Sequence, residues 1–428
     1  MNLTRCLPHL GLIILLSTFA AEVSAQSAEN LRRVDERRAA QVGIRRVESR
    51  HLRLYTDLPS GDAVDGLGNV FDAAVDAWTQ YFGIPLERTA RWRMQGFLIE
   101  DRAKFAALGL LPEANSDFAH GFCQGGELWL VEQPSNYYRR HLLLHEGTHG
   151  FMHAFVGDVG VGWYWEGMAE LLGTHRWEEG RLELRQLPDD RDEVPMWGRI
   201  TLVRESEPLS LPALLTLGQG RALTTDEYAW CWALCKFLDS HPRWGDKFRD
   251  LQSIVAEKDF NKRFRAAFQD DWADLLFEWQ AFVAELDYGY DIEAMTVVHK
   301  DPTEVTAGAK VQISADRGWQ STGWLLKSGK SYQISAAGRF EIAREDGKPW
   351  PCEPGGVTLD YHDGHPLGML LGVLRPTDPD RAADFSEPIP VGLGTTVTPG
   401  SDAILYLRVN DWPGRLSDNG GTLEASVD

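Results

Sequence analysis

Cysteine is scarce in this chain, five in 428 residues, and no two of them are spaced Cys-x-x-Cys. A structural zinc on paired thiolates is therefore excluded. Setting aside the first 25 residues, for the reason given below, leaves Cys123, Cys231, Cys235 and Cys352. Cys231 and Cys235 fall one helical turn apart, where disulfide geometry is seldom met, so they read as buried apolar thiols. Positive charge is also in short supply: 43 Lys and Arg face 63 Asp and Glu, a formal net charge of −20. Nucleic acids and anionic membrane surfaces both call for basic patches, so neither is expected as a partner. Long apolar runs are missing as well. The stretch over residues 11–20 is too short to span a bilayer. With Arg5 before it and Val23-Ser24-Ala25 after it, it reads as a signal peptide cleaved after Ala25. The expectation is an exported mature chain without a membrane span.

What is present fits a multidomain globular protein: 43% apolar and 25% charged residues over a length that suits two or three domains. Its most informative segment is His145-Glu146-Gly147-Thr148-His149. Two histidines four apart on a helix share a face, about 6 Å apart along the axis. Both imidazoles can reach one zinc ion, and Glu146 points into the same space without ligating, free to take a proton from water. The flanks suit a helix, with Ser135 as N-cap and an apolar run from Leu142 to Leu144 ahead of the motif and Phe151, Met152 and Phe155 after it. His153 extends the four-residue series but lies too far along the axis to join the same ion.

Catalytic zinc takes three protein ligands and keeps one position open. Downstream, Trp163-Tyr164-Trp165-Glu166-Gly167-Met168-Ala169-Glu170 reads as a second helix, with Glu166 and Glu170 on one face. Together with HExxH, a tryptophan shortly before Glu-Gly-x-Ala resembles the gluzincin metallopeptidases, the thermolysin and aminopeptidase-N group. The resemblance covers residues 51–295 and implies a two-lobed unit with its active site in the cleft: a small sheet with the zinc helices, then a helical lobe. It implies Glu166 as third ligand and Glu170 as the carboxylate behind His145, with the exchange of those two roles left open by the short spacing after His149. It also implies that Tyr228, in Thr224-Thr225-Asp226-Glu227-Tyr228, donates to the oxyanion of the transition state. The alternative for Tyr228 is a core tyrosine. In that family the strand before the zinc helix takes the substrate backbone, which points to Glu127, Leu128, Trp129 and Leu130.

Residues 26–50 are charge-rich and expected as a leader, and residues 296–308 as a linker. Beyond them, residues 309–428 alternate short apolar strands with glycine and proline turns, as in an all-β, jelly-roll-like sandwich. The chain as a whole is thus expected to be α+β. Gly318-Trp319-Gln320-Ser321-Thr322-Gly323 and Leu407-Arg408-Val409-Asn410-Asp411-Trp412-Pro413-Gly414, with Asp418-Asn419-Gly420-Gly421, resemble the galactophilic PA-I type of bacterial lectin. The resemblance implies a calcium ion on the side chains of Asp411, Asp418 and Asn419 and the carbonyls of Arg415 and Ile342, with glycans as partners. Such oxygen donors suit hard Ca²⁺, although Asp and Asn are also common in turns. The reading is an exported zinc peptidase acting on peptides or proteins, with a lectin-like C-terminal domain. Its rival is a carbohydrate-binding protein on a peptidase-like scaffold that has lost turnover, against which the intact Glu146 speaks.

Overall fold

The computed structural model describes residues 31–428 except 114, 159, 190–197, 219–220, 256–258 and 380. The expected signal peptide lies outside the described residues. The fold is mixed α+β with several sheets and a β-rich C-terminal region, and it divides into two compact units. The first runs to Gly157 and includes His175–Leu184; the second holds Asp158–Thr174 and Arg185–Asp428. No helix among the described residues is long and apolar enough to cross a membrane.

In the first unit, strands β1 (Arg45–Glu48), β2 (Leu52–Thr56), β3 (Met94–Ile99), β4 (Gly121–Gln124) and β5 (Glu127–Val131) form one sheet in the order β1-β2-β3-β5-β4. The expected leader is part of this unit. It supplies the helix Glu36–Gln41 and strand β1, which pairs antiparallel with β2. Arg32 straps its start to the sheet, donating to Glu127 through its backbone N–H (2.9 Å) and its Nε (3.3 Å). Helix α1 (Leu67–Tyr81) buries Phe71, Val75 and Trp78, spaced as an inward helical face requires. That face meets α2 (Asn136–Phe155), the helix carrying the HExxH motif. A Cβ on Gly147 would lie 2.6 Å from Phe71 and 2.8 Å from Trp78, and one on Gly150 would lie 2.3 Å from the Met94 methyl. Glycine at these two positions lets the back of α2 settle directly onto the aromatic and sheet core. The remaining face carries the histidines.

In the second unit, α3 (Gly162–Gly173) packs on α5 (Thr225–Ser240) so closely that a Cβ on Gly167 would lie 2.7 Å from the Cys231 carbonyl oxygen. Helix α4 (Arg199–Glu205) packs on the same helix, and α5 starts at a capping box of Thr224 and Glu227. Helix α6 (Trp272–Glu285) follows. Beyond it lies the sandwich. One sheet has, in spatial order, the strands Gly355–His362, His365–Pro376, Ala403–Val409, Gln320–Leu326 and Thr303–Glu304. The other has the strands Gly394–Val397, Tyr332–Ala337, Thr422–Val427 and Ala309–Ser314. Ile313, Leu326, Ile334, Leu405, Leu407 and Leu423 fill the core they share. The segment expected as a linker is built in: Thr303–Glu304 runs parallel to Gln320–Leu326, and Val297 is buried with Phe277 and Ala281 of α6 against Trp319, Val373, Phe385 and Tyr406 of the sandwich. At that joint the Glu278 carboxylate, on α6, accepts from His241 Nε2 (2.9 Å) and His299 Nε2 (2.8 Å).

Candidate metal centre

Helix α2 starts where Ser135 adopts an extended backbone and its hydroxyl caps the Tyr138 N–H at 3.2 Å. Ten residues on, spacing alone puts His145 and His149 on one face, and the structure turns their Nε2 atoms toward each other at 3.2 Å. Both rings are buried and nearly perpendicular. Two nitrogens held 2.0–2.1 Å from one tetrahedral zinc stand about 3.3 Å apart, so the pair is set at the separation zinc needs. The carboxylates of the expected set, Glu166 and Glu170, are carried by α3 of the second unit. Two imidazoles and a carboxylate are a donor set that suits zinc. His153 is exposed.

Glu146 faces the end strand of the first unit's sheet. A Cβ on Gly121 of β4 would lie 2.3 Å from Glu146 Oε1, so the missing side chain makes the room in which the carboxylate sits. The Cys123 thiol, also on β4, is pushed well up by burial and further by the Glu146 charge. A negative carboxylate thus stands over a strand that ends its sheet.

The expected substrate strand, Glu127 to Leu130, falls in β5. Strand β5 is hydrogen-bonded to β3 on one side and β4 on the other, so it has no open edge for a peptide to pair with. Leu128 and Leu130 are fully buried, and Trp129 donates its indole N–H to the Leu110 carbonyl at 2.8 Å. Glu127 is committed to Arg32 and to Gln95, whose amide donates at 2.9 Å. The strand with the expected character is β4.

On α3, Trp163 is buried and donates to Asn261 at 2.7 Å, fixing the first turn of the helix. Glu166 is half-buried and Glu170 fully so. Glu170 accepts a two-pronged contact from Arg199, Nε at 2.7 Å and a terminal nitrogen at 2.8 Å, the strongest geometry a carboxylate finds with arginine. Burial, then Glu166 and Glu170, push the Cys231 thiol up, so both carboxylates act on one side of α3, as their spacing requires. Neither Arg199 nor His141 was singled out from sequence. The four-residue step from His141 to His145 was a signal for the one; Arg199 had none, since it meets Glu170 across 29 residues. Tyr228 is half-buried in the first turn of α5.

The closing loop of the sandwich gathers the other expected set. Asp411 Oδ2, Asp418 Oδ1 and Asn419 Oδ1 are all shielded from solvent and accept no hydrogen bond. Asp411 Oδ1 takes the Trp412 N–H at 2.7 Å, and the Asn419 amide donates to the Ala315 carbonyl at 3.1 Å. Burial pushes the Asp411 carboxyl up to about 6. Backbone hydrogen bonds between Glu341 and Gly420, 2.8 and 3.0 Å, bring Ile342 beside this loop, and the Arg415 carbonyl accepts the Asp418 N–H at 3.3 Å within it. Buried oxygens without donors are costly, and a hard cation is the partner that relieves oxygens of this kind.

None of the protein families compared with the chain matches it, and no curated protein is similar to it. Among solved structures it is similar to an EclA N-terminal domain, a PllA-like lectin, at 21% identity with a TM-score of 0.21, over 28% of this chain and 92% of that one.

Proposed function

We propose that this chain is an exported zinc peptidase of the gluzincin type, with His145, His149 and Glu166 holding the metal. The observation that carries the reading is the pair of buried imidazole nitrogens facing each other at 3.2 Å. Zinc in such a set supplies a Lewis acid that makes water acidic enough to lose a proton near neutral pH. Glu146 takes that proton and hands it to the departing amine. Strand β4, at the end of its sheet and under Glu146, receives the extended substrate backbone. The Tyr228 phenol donates to the substrate carbonyl oxygen as charge builds there. Glu170, clamped by Arg199, holds the surroundings of the histidines. The test is digestion of a peptide library read by mass spectrometry, with metal content measured on the same protein. Glu146→Gln is expected to keep its zinc and lose at least about 100-fold in turnover. Turnover equal to the parent protein overturns the peptidase reading.

A second reading concerns the sandwich, and the three shielded, donor-less oxygens of its closing loop favour it. Asp411, Asp418 and Asn419, with the Arg415 and Ile342 carbonyls, form a calcium site. Calcium titration of the full chain, against an Asp411→Asn variant, tests it: one site is expected in the parent and none in the variant.

A further inference from the structure

We infer that the cation loop of the sandwich is a locking joint against the helical part of the second unit. The inference rests on the reading of Asp411, Asp418 and Asn419 as a cation site.

Three contacts tie the loop to residues 285–291. Arg408, on the strand Ala403–Val409, forms a buried ion pair with Glu285 at the end of α6, and its other terminal nitrogen donates to the Asp411 carbonyl at 2.8 Å. Glu285 is itself fixed by the Trp319 indole N–H at 2.8 Å. The Asp291 N–H donates to the Pro413 carbonyl at 3.2 Å. At Gly414 the two backbones pass so closely that a Cβ would lie 2.4 Å from the Gly289 carbonyl oxygen. Residues 285–291 therefore press on the same loop that turns its oxygens inward.

The donor oxygens of Asp411, Asp418 and Asn419 are shielded, and Asp411 is only 1% exposed. An ion held there fixes the shape of the loop, and that shape is what residues 285–291 dock against. Ion binding and docking then share one conformation, so each must strengthen the other by the same factor. Removing the ion leaves Asp411 buried with an unmatched charge, which the joint relieves by opening.

The test uses the full chain with Ca²⁺ alone as probe, comparing the parent protein with Gly414→Val, which wedges the joint, and Glu285→Gln, which weakens it without bulk. Calcium affinity, read by competition with a chromophoric chelator, is expected to fall about 10-fold or more in Gly414→Val and less in Glu285→Gln. Hydrogen exchange in the parent is expected to slow on calcium addition at both 411–421 and 285–291. Protection confined to 411–421, or unchanged affinity in both joint variants, overturns the inference while leaving the cation site standing. A parent protein that binds no calcium overturns the site and the joint together.

Discussion

At the scale of single residues, the proposed chemistry depends on where one carboxylate is allowed to sit. Glu146 has its place because residue 121 has no side chain; the added methyl of Gly121→Ala would stand 2.3 Å from Oε1. The carboxylate must then rotate or shift by the better part of an ångström, and misplacement of that size costs on the order of 100-fold in rate. Gly121→Ala is accordingly expected to lower kcat by about 10- to 100-fold with zinc content unchanged and the melting temperature little moved. A fluorogenic peptide assay beside metal analysis checks it, and an unaltered kcat would separate Glu146 from the reaction. Gly147 and Gly150 act on the opposite side of the same helix, where their bareness lets it lie against Phe71, Trp78 and Met94. One helix thus uses glycine for packing on one face and presents its histidine pair, the proposed ligands, on the other.

At the scale of elements, strand order decides which strand the proposed function assigns to substrate and which holds the sheet. Strand β5 is interior, and its Glu127 ties the amino-terminal strap to the sheet through Arg32 and Gln95. Neutralising it leaves a partly buried guanidinium with a weaker partner. Glu127→Gln is expected to cost about 1.5–3 kcal/mol in unfolding free energy, measured by urea denaturation, with turnover per folded molecule unchanged. A drop in turnover at unchanged stability would restore β5 to the substrate site. Strand β4 has the complementary role, since it ends the sheet and carries the residue under the base.

At the scale of the whole molecule, the sandwich is joined to α6 through an apolar cluster that contains a charged centre. Burial pushes the Glu278 carboxyl up, but hydrogen bonds from His241 and His299 outweigh that and hold it below its ordinary value. A carboxyl lowered in the folded state contributes stability above its unfolded value of about 4.3 and loses it as pH falls through the folded one. The melting temperature is therefore expected to drop as pH is taken from about 6 to about 3, and Glu278→Gln to flatten part of that drop. Glu285, pushed up by its own burial, contributes with the opposite sign, so the comparison with the variant isolates Glu278. A variant whose acid profile overlays that of the parent would remove Glu278 from the acid response.

Much of the centre could be read from neighbouring letters because helices are built from local contacts. The step from His145 to His149 sets both imidazoles on one face whatever surrounds them, and the step from Glu166 to Glu170 does the same on the next helix. Apolar spacing likewise marked α1, β2, β3, β5 and the strands of the sandwich. Strand order and joints could not be read this way. That β4 rather than β5 ends the sheet, that Arg32 reaches Glu127 across 95 residues, and that Arg408 reaches Glu285 across 123 all depend on pairings between distant parts of the chain. Such pairings are chosen by the burial and charge balance of the finished fold, and short-range spacing carries no trace of them.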